Sequence, residues 1–142
     1  MLYKNIVNNM LGLLNTYPQI KLSSFGELVN FFEHNKEFSF ALLQPSTTEL
    51  YTGINKNNIT HGFVLFVGDQ LQKGGSNALE IFSSNMEIID LFLFDLKTFS
   101  TDLILNMDNI QIEQDFYSQD EECAISIVRF SLTTTTSTNP PC

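Results

Sequence analysis

The chain has 142 residues, a length typical of one domain, and 43% of them are hydrophobic, which is enough for a core without metals or disulfides. Its net charge of −9 argues against a protein that wraps nucleic acid, since phosphate binding depends on clusters of lysine and arginine. No apolar run approaches the roughly 18 residues of a membrane-spanning helix, and the N-terminal residues lack the basic start and apolar block of a secretory signal. We therefore expect a soluble protein made in a cytoplasm, with no membrane association.

The acidic residues are concentrated late in the chain. Residues 1–79 carry five acids and five lysines and are neutral, whereas residues 80–122 carry eleven acids and one base, Lys97. Such a segment is typical of a solubilising face. It is also compatible with a surface along which nucleic acid passes without binding.

The first half of the chain predicts one helix and then strands. Apolar residues recur at helical spacing through residues 2–16. An irregular strand is expected over residues 19–28, and a strand over residues 37–45 that stops at its final proline. Residues 46–58 are polar and predict a loop or hairpin tip, and residues 59–71 predict a central strand covered on both faces.

The second helix has the best local signal in the chain. Asn77 can cap its start, and Glu80, three residues later, can complete a capping-box-like pair. An apolar stripe at 3–4 spacing predicts the face that packs on a sheet: Leu79, Phe82, Met86, Ile89, Leu93 and Leu96, broadened by Ile88, Phe92 and Phe99. The acids between these positions predict a charged outer face.

Two strands should close the domain. Residues 110–117 and 122–135 alternate apolar and polar side chains, and "SQDEE" between them reads as a solvated turn. We therefore predict a single α+β domain over residues 1–132, with a mostly antiparallel sheet of four or five strands packed by two helices. Residues 133–142 are expected to form an extended C-terminal tail.

The pattern predicts no catalytic, cofactor-binding or metal-binding residue, and no cofactor. His34 and His61 lack a nucleophile elbow and read as a loop residue and a strand-edge residue. Lys73 precedes the glycines of "QKGGSN", which is the wrong order for a phosphate loop. The acids of "QDEE" lack the glycine-punctuated spacing of a calcium-binding EF-hand.

Two cysteines, Cys123 and Cys142, are too few for a structural zinc site. A disulfide between them is open, but thiols in a cytosolic protein are usually reduced. A pair of carboxylates acting in hydrolysis also stays open, although nothing in the sequence selects a pair. The residues thus indicate assembly or binding rather than catalysis, and we expect a protein that is not an enzyme.

Several segments in order carry a resemblance to a known group of proteins. They are "TYPQI", "SSFGELVNF", "EFSFALLQP", "HGFVLFVGDQLQKGGSNALEIFSSNMEIIDLFLFDL" and "CAISIVRFSL". In layout, the chain resembles small virion proteins of crAss-like and related tailed phages of Bacteroidetes hosts, of the neck-ring or tail-terminator type. The resemblance covers roughly residues 2–132, and its motifs are loose.

The resemblance implies a six- or twelve-fold ring of identical subunits in the neck or tail of a virion, assembled in the bacterial host cytoplasm. The ring would contact portal, neck or tail proteins, and genomic DNA would pass through it without specific binding. Residues 46–58 and the threonine-rich tail become candidate arms that reach a neighbouring subunit by strand addition. Possible channel-facing acids are Asp120, Glu121, Glu122, Glu113 and Asp115.

One alternative is a small acidic binding protein, such as an immunity or anti-defence protein that mimics nucleic acid. It should be a monomer or dimer and should bind one basic partner.

Overall fold

A computed structural model describes residues 3–28, 31, 39–53, 56–72, 75–98, 103–106, 110–118 and 122–137. Its helices and strands run in chain order α1 (Tyr3–Leu14), β1 (Leu22–Phe25), β2 (Phe40–Thr52), β3 (Lys56–Gln70), α2 (Ala78–Lys97), β4 (Leu103–Leu105), β5 (Ile112–Ser118) and β6 (Glu122–Ser137).

The six strands form one sheet in which β6 has the most partners. The order is β1-β2-β3-β6-β4, and β5 also pairs with β6. One edge of β6 is covered by β3 along nearly its whole length, whereas the other edge is shared by β5, opposite residues 122–128, and β4, opposite residues 132–134. Only β1 and β2 are parallel, and every other pair is antiparallel.

Both helices pack on one face of the sheet. Alternation along β3 directs Phe63, Leu65 and Val67 to this face, where they share a core cluster with residues of α1 and α2. Phe92 of α2 is fully buried, and its ring meets that of Phe130 edge to face at 5.8 Å. Burying one such side chain contributes about 1.5–3 kcal/mol, so this layer supplies much of the stability.

The opposite face of the sheet has its own, smaller core. Phe40, Phe66 and Ile125 are buried there together with Phe31, which lies in the connection between β1 and β2. The rings of Phe31 and Phe40 are 4.9 Å apart. Since β3 is buried on both faces over residues 63–67, the prediction of a central strand is confirmed.

The chain is therefore α+β, with a mostly antiparallel sheet packed by two helices, and the predicted fold class is confirmed. The described sheet has six strands instead of the predicted four or five, and the strand that the sequence analysis missed is β4. With three residues, β4 is too short to show an alternating pattern.

Strand β2 does not stop at Pro45. Of the two forms predicted for residues 46–58 the loop is wrong, whereas the hairpin tip agrees with the antiparallel pairing of β2 and β3 in this part of the sheet. The strand continues to Thr52, with a shift of register between Pro45 and Thr48. Proline is tolerated at such irregularities and at sheet edges, and the β-branched and aromatic residues that follow favour strand geometry. Only residues 53–55 connect β2 to β3.

The predicted domain end at residue 132 lies inside β6, which continues to Ser137. Thr133 and Thr134 belong to the sheet because they pair with β3 on one edge of β6 and with β4 on the other. The hydroxyl groups of Thr60 and Thr133 are 3.0 Å apart and share a hydrogen bond. Residues 138–142 lie outside the described residues, so the predicted tail beyond β6 stays a prediction.

The buried face of α2 agrees with the predicted stripe from Ile88 to Leu96 and differs from it in the first half of the helix. Leu79 and Met86 are exposed, whereas the buried residues are Ile81, Asn85, Ile88, Ile89, Phe92, Leu93 and Leu96. The prediction failed there because the polar residue Asn85 occupies a core position, which interrupts the apolar pattern of the buried face. As a result, Leu79 and Met86 remain on the surface of the helix.

Asn77 precedes α2 as predicted, but its side chain does not cap the helix. Its Oδ1 instead accepts a hydrogen bond of 2.7 Å from the amide of Gln72, and its Nδ2 donates to the carbonyl of Gln70. The predicted capping box with Glu80 is therefore wrong, because the asparagine stabilises the connection from β3.

Candidate functional site

The outer part of β2 is an exposed strand, which we call the β2 arm (residues 45–52). All eight of its residues are exposed, and they include two large apolar ones, Leu50 and Tyr51, each 58% accessible. These two side chains project from opposite faces of the strand. Because β1 pairs only with residues 40–43, the outer edge of the arm has no strand partner among the described residues.

A second apolar surface lies at the other end of the sheet, between α2 and β5. We call it the α2–β5 cluster: Leu79, Phe82, Met86 and Phe116. The rings of Phe82 and Phe116 meet edge to face at 5.3 Å, yet Phe116 is 55% and Leu79 78% accessible. A cluster of apolar side chains that remains exposed to solvent is typical of an interaction surface.

A polar network that runs from the buried Asn85 and Ser126 to the exposed Gln114 links α2 to β5. The Asn85 Nδ2 donates to the Ser126 Oγ at 3.1 Å, and that hydroxyl donates in turn to the Gln114 Oε1. The Gln114 Nε2 reaches the sulfur of Met86 at 3.0 Å. These contacts fix the orientation of β5 relative to α2. The outer edge of β5, on the side away from β6, has no strand partner in the described part of the chain.

The candidate channel acids of β5 project away from the helices. Glu113 and Asp115 lie opposite Ile127 and Ile125, so they share the face of the sheet that α2 does not cover. Glu113 accepts a hydrogen bond of 2.6 Å from the guanidinium of Arg129. Both side chains of this pair are more than half exposed, so its contribution to stability is small, at most about 1 kcal/mol.

The remaining candidate channel acids follow β5 along the chain. Glu122 is the first residue of β6 and pairs with Ser118, which confirms a hairpin between β5 and β6. Asp120 and Glu121, which come between β5 and β6 in the sequence, lie outside the described residues. The role of these acids in a channel stays a prediction.

The outer surface of α2 carries another group of acids. Glu80, Glu87 and Asp90 are exposed there, which confirms the predicted charged face. Asp95 instead accepts a hydrogen bond of 2.7 Å from the hydroxyl of Tyr17. The described acids of residues 80–122 thus occupy two faces of the molecule, with those of α2 on the helix side and those of β5 on the opposite side.

His61 is a core residue and not the predicted strand-edge residue. It lies within β3, paired with Thr48 of β2 and Leu132 of β6, and is buried. Its ring lies 5.3 Å from that of Tyr3, its Nδ1 has no hydrogen-bond partner within the described structure, and burial lowers its pKa. His34 lies outside the described residues.

Cys123 is the second residue of β6 and is buried, whereas Cys142 lies outside the described residues. No cluster of three or more histidine, cysteine, aspartate or glutamate side chains suited to a metal occurs in the described ranges. Neither described helix combines the length and apolar character needed to cross a membrane.

A small crevice opens between the start of α2 and the β1–β2 side of the sheet. Asp69 and Asn85 contribute polar groups to its lining, and Ile20 and Val67 contribute apolar ones. Its volume of about 40 Å³ accommodates a few water molecules and is far below the roughly 300 Å³ of a typical small-molecule site.

The sequence matches no protein-family model, and a search of the curated proteins finds no match either. Two exposed surfaces of the molecule are the features that bear on its function. They are the β2 arm and the α2–β5 cluster, at opposite ends of one sheet.

Proposed function

We propose that the chain is a structural subunit of a tailed-phage virion, in the neck or at the tail end, where identical copies form a tail-terminator-like ring. The ring adapts one component of the virion to the next and leaves a channel for DNA. The subunit is assembled in the cytoplasm of the bacterial host and is not an enzyme. The resemblance in layout supports the phage assignment, and the α+β fold is compatible with it.

The β2 arm is the observation that carries the proposal. A monomeric protein usually shields an edge strand with charges, prolines or bulges, with a covering loop or by keeping it short. The arm has Pro45 and a register shift at its start, but residues 48–52 continue beyond them with Glu49 as the only charged residue, and they expose Leu50 and Tyr51. A strand of this kind is stable in solution when another chain covers it, and a ring of copies supplies that chain.

The charge distribution supports a channel that does not retain DNA. The chain has a net charge of −9, and the surface acids of α2 and β5 are well separated from most of the lysines along the sequence. Acids that line a channel repel phosphate, so DNA slides through without being held.

Assembly can be tested with the purified chain by light scattering after size-exclusion chromatography and by negative-stain imaging. We expect closed rings, and we expect Leu50→Glu in the β2 arm to abolish them while leaving the circular dichroism spectrum unchanged. Leu91→Glu is the matched control, since Leu91 is 45% exposed on α2, away from the arm. A wild-type chain that stays monomeric at every soluble concentration would contradict the proposal.

The channel role of the acids needs its own test. We expect lysine substitutions to leave the fold and the rings intact and to make the rings retain DNA in a gel-shift assay. The substituted residues are Asp120, Glu121 and Glu122. Rings of this variant that bind DNA no more tightly than wild-type rings would show that these acids do not line a channel.

A small acidic binding protein that mimics nucleic acid is the second candidate function. The outer surface of α2 favours it, because Leu91 and Phe94 are exposed there among Glu87 and Asp90. A basic partner could bury these apolar groups while pairing with the acids. In that case the chain would be a monomer or dimer, and Leu91→Glu, rather than Leu50→Glu, would weaken its complex with a basic host protein.

A further inference from the structure

Two unpaired edges lie at opposite ends of the sheet, and each is accompanied by exposed apolar side chains. We propose that the β2 arm of one copy adds as an extra strand to the outer edge of β5 in the next copy, with Leu50 packing on the α2–β5 cluster. This inference rests on the proposed ring function and specifies the interface that builds the ring. Main-chain hydrogen bonds would supply affinity, and the cluster would supply specificity.

The lengths of the edges select this pairing. Strand β5 offers seven residues along its outer edge, and the β2 arm is the only edge of comparable length on the other side of the described sheet. Strands β1 and β4 also lie at edges, but they have four and three residues. An interface built on either of them would form few main-chain hydrogen bonds.

Side-chain alternation fixes the register. Leu50 and Phe116 both lie on the helix side of the sheet, since Leu50 pairs with Ile59 and Phe116 with Ala124. An antiparallel register with Leu50 opposite Phe116 buries both against the cluster. The same register places Tyr51, whose hydroxyl donates to the Glu49 carboxylate in the single chain, opposite Asp115.

This register also places no two carboxylates directly opposite each other. Glu49 falls opposite Tyr117, and Glu113 falls opposite Gly53, so no two acids face each other. Two copies of β5 paired centrally would instead place Glu113 opposite Asp115, or Asp115 opposite its own copy. Like charges directly opposite each other destabilise a strand pair, so charge favours the arm over a second β5 as the occupant of this edge.

A pairing of two β2 arms would cover the unpaired edges of the arms but would leave the edge of β5 unpaired. Leu79 and Phe116 would stay exposed, and the two-fold symmetry would stop assembly at a dimer. The arm-to-β5 contact joins different surfaces of successive copies, and a head-to-tail contact of this kind closes into a ring when the rotation between copies permits. It also covers both exposed apolar surfaces at once.

Thiol cross-linking between two single variants tests the pairing. One chain carries Tyr51→Cys and the other Asp115→Cys, both with Cys142 replaced by serine and the buried Cys123 retained. A short bismaleimide should link the two chains only when they are mixed. A chain with both substitutions should give a ladder of linked species that ends at the number of subunits in the ring.

The outcomes separate this interface from the ring itself. Linkage in the Tyr51→Cys chain alone would indicate arm-to-arm pairing, and linkage in the Asp115→Cys chain alone would indicate β5-to-β5 pairing. Either result, or rings without linkage in the mixture, would overturn the interface and leave the ring function standing. A failure of the wild-type chain to assemble at all would overturn the proposed function and this inference with it.

A substitution in the cluster provides an independent readout. Phe116→Asp should weaken self-association by at least about tenfold, because Phe116 is central to the receiving surface. Ile104→Asp is the control, since Ile104 is similarly exposed, at 59%, but lies in β4 on the face of the sheet that the helices do not cover. Equal losses from the two substitutions would show that the cluster has no special role.

Discussion

Replacing Ser126 with alanine removes the hydroxyl that joins α2 to β5 through the protein interior. Ser126 is completely buried, and Asn85, whose amide donates to it at 3.1 Å, is 3% accessible. The alanine variant leaves that buried amide, and the Oε1 of Gln114, without this partner. We expect a marked loss of stability, although the change in side-chain volume is small.

The size of the loss follows from the burial of the amide. A buried polar group that loses its hydrogen-bond partner costs about 1–3 kcal/mol. With a urea dependence of about 2 kcal/mol per molar, a loss of 2 kcal/mol lowers the midpoint of unfolding by about 1 M. Replacing both partners with apolar groups should be less harmful, so Asn85→Leu combined with Ser126→Ala should cost less than the sum of the two single changes.

Urea unfolding of the wild type, the two single variants and the double variant measures this coupling. Ser83→Ala, on the exposed side of α2, is the control for a serine replacement without a buried partner. A Ser126→Ala chain within about 0.5 kcal/mol of the wild type, or strict additivity in the double variant, would refute the role assigned to the network.

Three further results are expected from unfolding measurements. A Cβ at Gly68 would lie 2.9 Å from the Ala124 carbonyl oxygen and from the Phe40 ring, so Gly68→Ala should cost about 1–3 kcal/mol, whereas Gly12→Ala in α1, with open space around it, should be neutral or slightly stabilising. Phe92→Ala should cost about 3–5 kcal/mol through the cavity it leaves, and the exposed Phe94→Ala almost nothing; equal costs would contradict the assigned face of α2. Burial and the bond to the Asp95 carboxylate raise the pKa of Tyr17, so the stability that depends on its protonated form is present below about pH 10 and is lost at higher pH. Tyr17→Phe should therefore flatten the decline of the unfolding free energy above that pH, and an unchanged decline would exclude Tyr17 as its source.

Local patterns predicted the fold class well because most elements are long and apolar. The run from Phe63 to Val67 is rich in β-branched and aromatic residues and indicates a doubly covered strand, which β3 is. Predictions failed where tertiary contacts override local signals. The threonines after Pro45 look like a polar loop, but pairing with β3 makes them strand.

The candidate site was harder to predict than the fold. Leu79 and Met86 fit an apolar stripe in the sequence. Only the hydrogen bond of Asn85 in the core shows that the first half of α2 buries a neighbouring face and leaves Leu79 and Met86 exposed. The acids of β5 and α2 are continuous in sequence but lie on different sides of the sheet, because successive elements turn their charged faces in opposite directions. No composition or spacing could indicate which edge of the sheet remains unpaired.

The position of β6 in the chain has a consequence for synthesis. Strand β6 is translated after every other described strand, yet it provides the partner for β3, β4 and β5. Until it emerges from the ribosome, β5 has no neighbour to hold it, and the surface that would receive another subunit does not exist. In the proposed ring, a nascent chain therefore cannot receive another subunit at β5 until β6 has been synthesised and has paired with β5.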